Sequence, residues 1–275
     1  MFRVYSLQFI VYSLQFRVYS LQMRLTFLGT GTSCGVPVIG CQCEVCQSTD
    51  PKDKRTRCSA LVETDQTRLL IDCGPDFRQQ ILPQPFRKID GILITHAHYD
   101  HMGGMDDIRP YCQFGEINVY ADTNARQAML EMLPYCFAEH RYPGVPAIGL
   151  HEIQPHEPLR IGDLDIMPFV VMHGKLPILG YRIGGLAYIT DMKTIDEGEM
   201  RYLEGTELLV VNALRFDKPH HAHQLVDDAM AFARRVGAKQ TYLIHSCHDI
   251  GRHEAVNREL PSDIQLAFDG QTVIF

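Results

Sequence analysis

Thr95-His96-Ala97-His98-Tyr99-Asp100-His101 follows directly on the apolar run Gly91-Ile92-Leu93-Ile94. That junction constrains the fold more than any other part of the chain. A short apolar run of this kind reads as a buried strand. Side chains alternate along a strand with period two, so His96 and His98 project the same way at its end. Asp100 and His101 lie just beyond, where the chain must turn into a helix. Four ligand-type side chains therefore converge on one small volume, and neutral imidazoles with a carboxylate suit Zn, Fe or Mn.

Three further candidates end apolar runs in the same manner. They are His173 after Phe169-Val170-Val171-Met172, Asp191 after Ala187-Tyr188-Ile189-Thr190, and His245 after Tyr242-Leu243-Ile244. Singly, each is a strand-end cap as readily as a ligand. As a set they belong on one rim of a sheet structure. A second cluster is Cys41-Gln42-Cys43-Glu44-Val45-Cys46, in a loop-like region after Gly40. Three thiolates need a fourth donor to close a tetrahedral site. Ile244-His245-Ser246-Cys247-His248 offers both Cys247 and His248. Zinc held there would pin a long loop that has little apolar content of its own. The chain has 9 cysteines, unevenly spread over 275 residues. A disulfide framework does not fit such a chain, whereas metal binding in a reducing, cytoplasmic compartment does.

The remaining pattern is that of an α/β chain. Early strands are expected near 23–28, 58–63, 68–72, 89–95 and 117–120, with helices at 75–82, from His101 onward and at 123–133. Later strands are expected near 164–171, 180–183, 186–190, 208–211, 240–244, 265–268 and 272–275, with a helix at 224–236. Residues Pro134–Pro158 carry five prolines and read as irregular connection. Strands at both ends with helices interspersed indicate two sheets, and no linker divides residues 23–275. Residues 1–22 stand apart. They repeat FRVYSLQ, FIVYSLQ and FRVYSLQ, without an a/d seam or the features of a signal peptide. They are read as an extension upstream of a fold that starts at Met23. Lys and Arg total 26 against 33 Asp and Glu, so neither a long nucleic acid nor an anionic membrane is the obvious partner. No apolar stretch approaches the roughly 18 residues of a membrane span.

The order His-x-His-x-Asp-His followed by His173, Asp191 and His245 resembles the metallo-β-lactamase superfamily. The resemblance covers essentially Met23–Phe275 and implies a four-layer αβ/βα sandwich with a dinuclear site. It implies that His96, His98 and His173 hold one metal, that Asp100, His101 and His245 hold the other, and that Asp191 bridges them. Asp72, in Asp72-Cys73-Gly74, would orient the metal-bearing loop from behind. Two metals roughly 3.5–4 Å apart share a hydroxide whose pKa falls to about 7, a nucleophile at neutral pH.

Leu28-Gly29-Thr30-Gly31-Thr32, Gly35-Val36-Pro37, the cysteine triplet and the final His-x2-His narrow this further. They are similar to the phosphoribosyl cyclic phosphodiesterase (PhnP-type) branch. That likeness implies a structural zinc on Cys41, Cys43, Cys46 and His248, and manganese or zinc at the dinuclear site. Its substrate would be a small cyclic phosphodiester, of the ribose cyclic phosphate or cyclic nucleotide type. The catalytic residues it implies are Asp100 and a histidine preceding a late helix, which acts as general acid. His223 matches the latter, with His220 and His221 as neighbouring candidates. The stretch Asn212–Phe216 departs from the branch, which bears on substrate identity more than on chemistry. A tRNA 3′-processing nuclease would show an extended gripping arm and a basic surface, and neither is found. A coenzyme-biosynthesis (PqqB-type) protein shares the cysteine triplet, and a non-catalytic metal scaffold gains nothing from open coordination positions. A homodimer is left open.

Overall fold

The computed structural model describes residues 22–275, so the repeat, apart from its final Gln22, lies outside the described residues. The chain runs first through β1 (Arg24–Gly29), β2 (Ser59–Glu63), β3 (Arg68–Ile71), β4 (Gly91–Leu93), β5 (Ile117–Ala121) and β6 (Ile148–Glu152). It continues through β7 (Leu159–Ile161), β8 (Leu164–His173), β9 (Leu176–Ile183), β10 (Leu186–Tyr188), β11 (Leu208–Asn212), β12 (Gln240–Ile244) and β13 (Ile264–Leu266). The last strand, β14 (Thr272–Ile274), returns to pair with β1. Two 7-stranded sheets result, ordered β14-β1-β2-β3-β4-β5-β6 and β13-β12-β11-β10-β9-β8-β7. In each, four neighbouring strands run parallel: β3 to β6 in one and β10 to β13 in the other.

Period-two alternation sorts the apolar residues into layers. Leu25, Phe27, Leu69 and Ile71 of the first sheet meet Leu208, Val210, Tyr242 and Ile244 of the second in the central core. The intervening Leu70 and Ile92 face outward, onto α1 (Phe77–Ile81) and α3 (Thr123–Met132). Leu209, Val211 and Leu243 face the other way, onto α4 (Val226–Val236) and α5 (His253–Glu259). Helix, sheet, sheet and helix thus stack as the αβ/βα sandwich that the resemblance implied. No helix among the described residues is long and apolar enough to cross a membrane.

Several expected boundaries need correction. The helix after the histidine motif, α2 (Tyr99–Met102), begins at Tyr99 rather than His101, with His98 as its N-cap. Residues 134–158 are not wholly irregular, because β6 pairs in parallel with β5 over Ile117↔Ile148 to Ala121↔Glu152. β6 lies at the sheet edge and is only partly buried, so it lacks the apolar run that betrays a central strand. β7 and α5 were not expected either, and both are short.

Candidate metal centre

The histidines and carboxylates gather at the ends of strands from both sheets. Ile94 and Thr95 carry the chain from β4 to His96, while β8 ends in His173. Asp191 follows three residues after β10, and His245 directly follows β12. The donor atoms of His96, His98 and His173 all lie within 4.8 Å of one another. So do those of Asp100, His101 and His245, and those of His96, His101 and Asp191. Three of the five described non-glycine residues with positive φ lie at this cluster. Asp72, Asp191 and His245 hold φ of 59°, 56° and 56°, left-handed values that cost a non-glycine residue about 1 kcal/mol or more.

The atoms behind the cluster fix which nitrogen of His96, His101 and His173 faces it. Asp72 is fully buried. It accepts from the Thr95 amide at 2.8 Å, the Thr95 hydroxyl at 2.9 Å and His101 Nδ1 at 2.7 Å. His101 Nε2 is therefore turned toward Asp100 Oδ2 at 3.3 Å and Asp191 Oδ2 at 3.2 Å. The Thr95 hydroxyl, having donated to Asp72, accepts from His96 Nδ1 at 3.0 Å. His173 Nδ1 donates to the Ala222 carbonyl at 3.0 Å. The Thr190 hydroxyl donates to Asp191 Oδ2 at 2.6 Å. Gly74 lets the chain pass so close to the Asp100 carbonyl that a Cβ would collide with it.

The cluster has the electrostatics of a cation site. His101 Nε2 and both ring nitrogens of His245 are buried without a hydrogen-bond partner. His245 Nε2 nevertheless stands 3.0 Å from Asp191 Oδ1. Burial disfavours the charged form of Asp191, but His245 and His101 outweigh it and hold this carboxyl well below the usual range. Burial also works against a charged His101, yet Asp191 and Asp72 raise it well above the ordinary histidine value. No Lys or Arg among the described residues pairs with Asp72, Asp100 or Asp191. Imidazole nitrogens converging on carboxylates that no Lys or Arg neutralises fit divalent metals of the Mn or Zn type, which would take the place of the proton on His101.

His223 is buried beside this cluster. Its Nδ1 stands 3.7 Å from Asp191 Oδ1, and its ring centroid lies 4.7 Å from those of both His173 and His245. Burial, then neighbouring His245, push its imidazole down to about 3 against the pull of Asp191. His220 is half-buried and His221 exposed, so of the three neighbouring histidines only His223 stands among the clustered donors.

The cysteine triplet meets His248, not Cys247. Donor atoms of Cys41, Cys43, Cys46 and His248 fall within 4.8 Å of one another. His248 Nδ1 is 3.4 Å from Cys41 Sγ and 3.2 Å from Cys43 Sγ. Hydrogen bonds from the Cys46 amide and from His248 lower the Cys43 thiol to about 6, while burial raises Cys46 to about 11. A closed set of soft donors fits zinc.

Sequence reading misses Thr95, Asn212 and Ala222. Asn212 clamps the loop bearing Asp191 by accepting from the Met192 amide at 2.7 Å and donating to the Met192 carbonyl at 2.9 Å. A polar residue closing the apolar strand Leu208–Val211 is the one signal that could have flagged it. Ala222 acts through its backbone and leaves no signal.

Residues 67–246 match the Beta-lactamase superfamily domain. The chain is similar to a crystallised diphosphatase of the PhnP family, with 39% identity, 92% of this chain and 97% of that one covered, and a TM-score of 0.85. It is 44% identical over 248 residues to an octanoyltransferase of Porphyromonas gingivalis, covering 90% of this chain and 50% of that protein. The chain thus spans about half the length of this relative. A ribonuclease Z of Bradyrhizobium diazoefficiens is 25% identical over 291 residues, covering 84% and 90%.

Proposed function

The chain belongs to the beta-lactamase superfamily, within its PhnP family, and we propose that it opens a small phosphodiester, cyclic or terminal, by metal-dependent hydrolysis. The membership supports a metallo-hydrolase. The finer reading rests above all on Asp100 and Asp191, which face His101 and His245 nitrogens and are paired with no Lys or Arg among the described residues. In this reading His96, His98 and His173 hold one divalent cation, Asp100, His101 and His245 the second, and Asp191 lies between them. Cys41, Cys43, Cys46 and His248 hold a structural zinc. When bound, the active-site cations supply Lewis acidity toward a phosphoryl oxygen and lower the pKa of a coordinated water.

The chain's own groups do the rest. Asp100 accepts a hydrogen bond from the attacking water and orients it. Asp72 holds His101, and Ala222 holds His173, each with Nε2 turned inward. His223 delivers a proton to the leaving oxygen. In the free protein it is neutral, pushed down to about 3. An anionic diester arriving beside it favours the protonated form, and an alkoxide leaving group needs that proton.

A diphosphatase, a ribonuclease Z and an octanoyltransferase stand among the similar proteins, so diphosphates, RNA and octanoyl groups are the competing substrate classes. The formal charge of −7 speaks against a long polyanion. A substrate panel on metal-reconstituted protein decides among them. It should include a ribose cyclic phosphate, a 2′,3′-cyclic nucleotide, a nucleoside diphosphate, a tRNA precursor, an octanoyl thioester and a β-lactam. Fastest turnover is expected on a small diester, and activity confined to the thioester and lactam would overturn the reading.

A further inference from the structure

The segment 215–225, between β11 and α4, is closed at its neck like a loop on a stem. Leu214 N–H donates to Gln224 O and Val226 N–H to Arg215 O, each at 3.0 Å, and Gln224 N–H donates to Met192 O at 3.1 Å. At its tip, both polar groups of buried Ala222 are engaged by histidines. His220 Nδ1 accepts the Ala222 N–H at 3.2 Å, and His173 Nδ1 donates to the Ala222 carbonyl at 3.0 Å. The His220 ring also stacks on His223, with centroids 4.8 Å apart and planes 26° from parallel.

We propose that His220 is a positioning residue for both His173 and His223. It reaches His173 through the backbone of Ala222 and His223 through its ring face. The Ala222 N–H bonds to no other group among the described residues, so without His220 a buried donor is stranded and the loop tip is released. The carbonyl that fixes the His173 tautomer then shifts, and groups that orient a metal-bound histidine from behind typically contribute 10–100-fold in metal affinity. The same release lets the His223 imidazole swing away from Asp191. This inference rests on the reading that the cluster binds divalent cations.

The test is calorimetric titration of Mn²⁺ into protein freed of its active-site metals by mild chelation, with the cysteine-bound zinc retained, followed by kinetics on a small phosphodiester. His220→Ala is expected to weaken one of the two active-site equivalents about 10-fold or more and to leave the other within about twofold of the parent. His220→Asn offers a carbonyl to the Ala222 N–H and is expected to recover most of the metal affinity. Lacking the ring, it should still show a reduced kcat with little change in KM. A His220→Ala protein that titrates like the parent overturns the proposal. So does a folded His220→Asn that binds metal as poorly as His220→Ala. If His220→Ala does not fold, the His220→Asn titration decides alone, with parent-like affinity and lowered kcat as the expected result. The titration needs no substrate. A parent that binds Mn²⁺ but cleaves no diester therefore sinks the functional reading and not this one, whereas a parent that takes up no Mn²⁺ sinks both.

Discussion

Asp72 and His223 carry separable roles, one behind the cluster and one at its face. Asp72 gathers three donors while fully buried. Asp72→Asn is expected to lower Mn²⁺ affinity 10–100-fold, as read by titration of metal-free protein. Unchanged affinity would remove Asp72 from that role. His223→Ala should cost about 10²–10⁴ in kcat on a diester with an alkoxide leaving group, the usual range for a general acid, and far less on an activated aryl diester. Equal losses on both would contradict the proton-donor role. A donor must be protonated, so activity falls as pH rises through its pKa. The profile of kcat/KM reports the free protein and that of kcat the loaded one, so the alkaline limb should lie higher in kcat. The ligand-type residues were readable in the sequence because His96, His173, Asp191 and His245 each follow an apolar run, with His98, Asp100 and His101 close behind His96, and strand ends are where side chains meet across a sheet rim. Thr95, Asn212 and Ala222 were not, since hydroxyl, amide and carbonyl contacts depend on neighbours far away in the chain.

Among the elements, the loop between β1 and β2 depends most on a single centre. Over residues 30–58 it has only the short turn Pro51–Asp53 as helix, and a small apolar cluster around Val36, Val45 and Cys46. Two backbone bonds join it to the segment after β12: Ser246 N–H to Thr30 O at 3.1 Å and Thr32 N–H to Ser246 O at 3.3 Å. Removing zinc by Cys43→Ser is expected to speed amide exchange over residues 34–50, while the β2 and β3 amides stay protected. Uniform loss of protection, or none, would contradict a local pin. The triplet was legible from spacing alone; spacing left Cys247 and His248 open, the resemblance favoured His248, and β12 brings the His248 ring to the three sulfurs. Central strands were likewise legible, because burial on both faces leaves an unbroken apolar run. Edge strand β6 carries half-exposed residues in a proline-rich stretch and left no such mark.

Over the whole molecule, stability against acid follows from histidines buried in the neutral form. Burial, then Arg55 and Lys52, lower His253 to about 4. The unfolded chain binds this proton below pH of about 6.5 and the folded one only near 4. Its contribution is therefore intact above pH 6.5 and lost as pH falls toward 4. His253→Gln, measured by urea unfolding of metal-free protein at pH 7.5 and 4.5, should shrink the difference between those two pH values by about 2 kcal/mol. No change in that difference would contradict a buried neutral His253. The two-sheet architecture was legible from strands at both ends of the chain, because each sheet needs the other to cover its inner face.

The central claim is that three cations share this chain, two among the histidines and carboxylates and one among the cysteines. Elemental analysis of the purified protein tests it most directly, beside Cys43→Ser and Asp191→Ala variants. About three metals per chain are expected, with one zinc surviving mild chelation. Cys43→Ser should lose that zinc alone, and Asp191→Ala should deplete the other two. One metal or none in the parent, or loss of all three in Cys43→Ser, would contradict it.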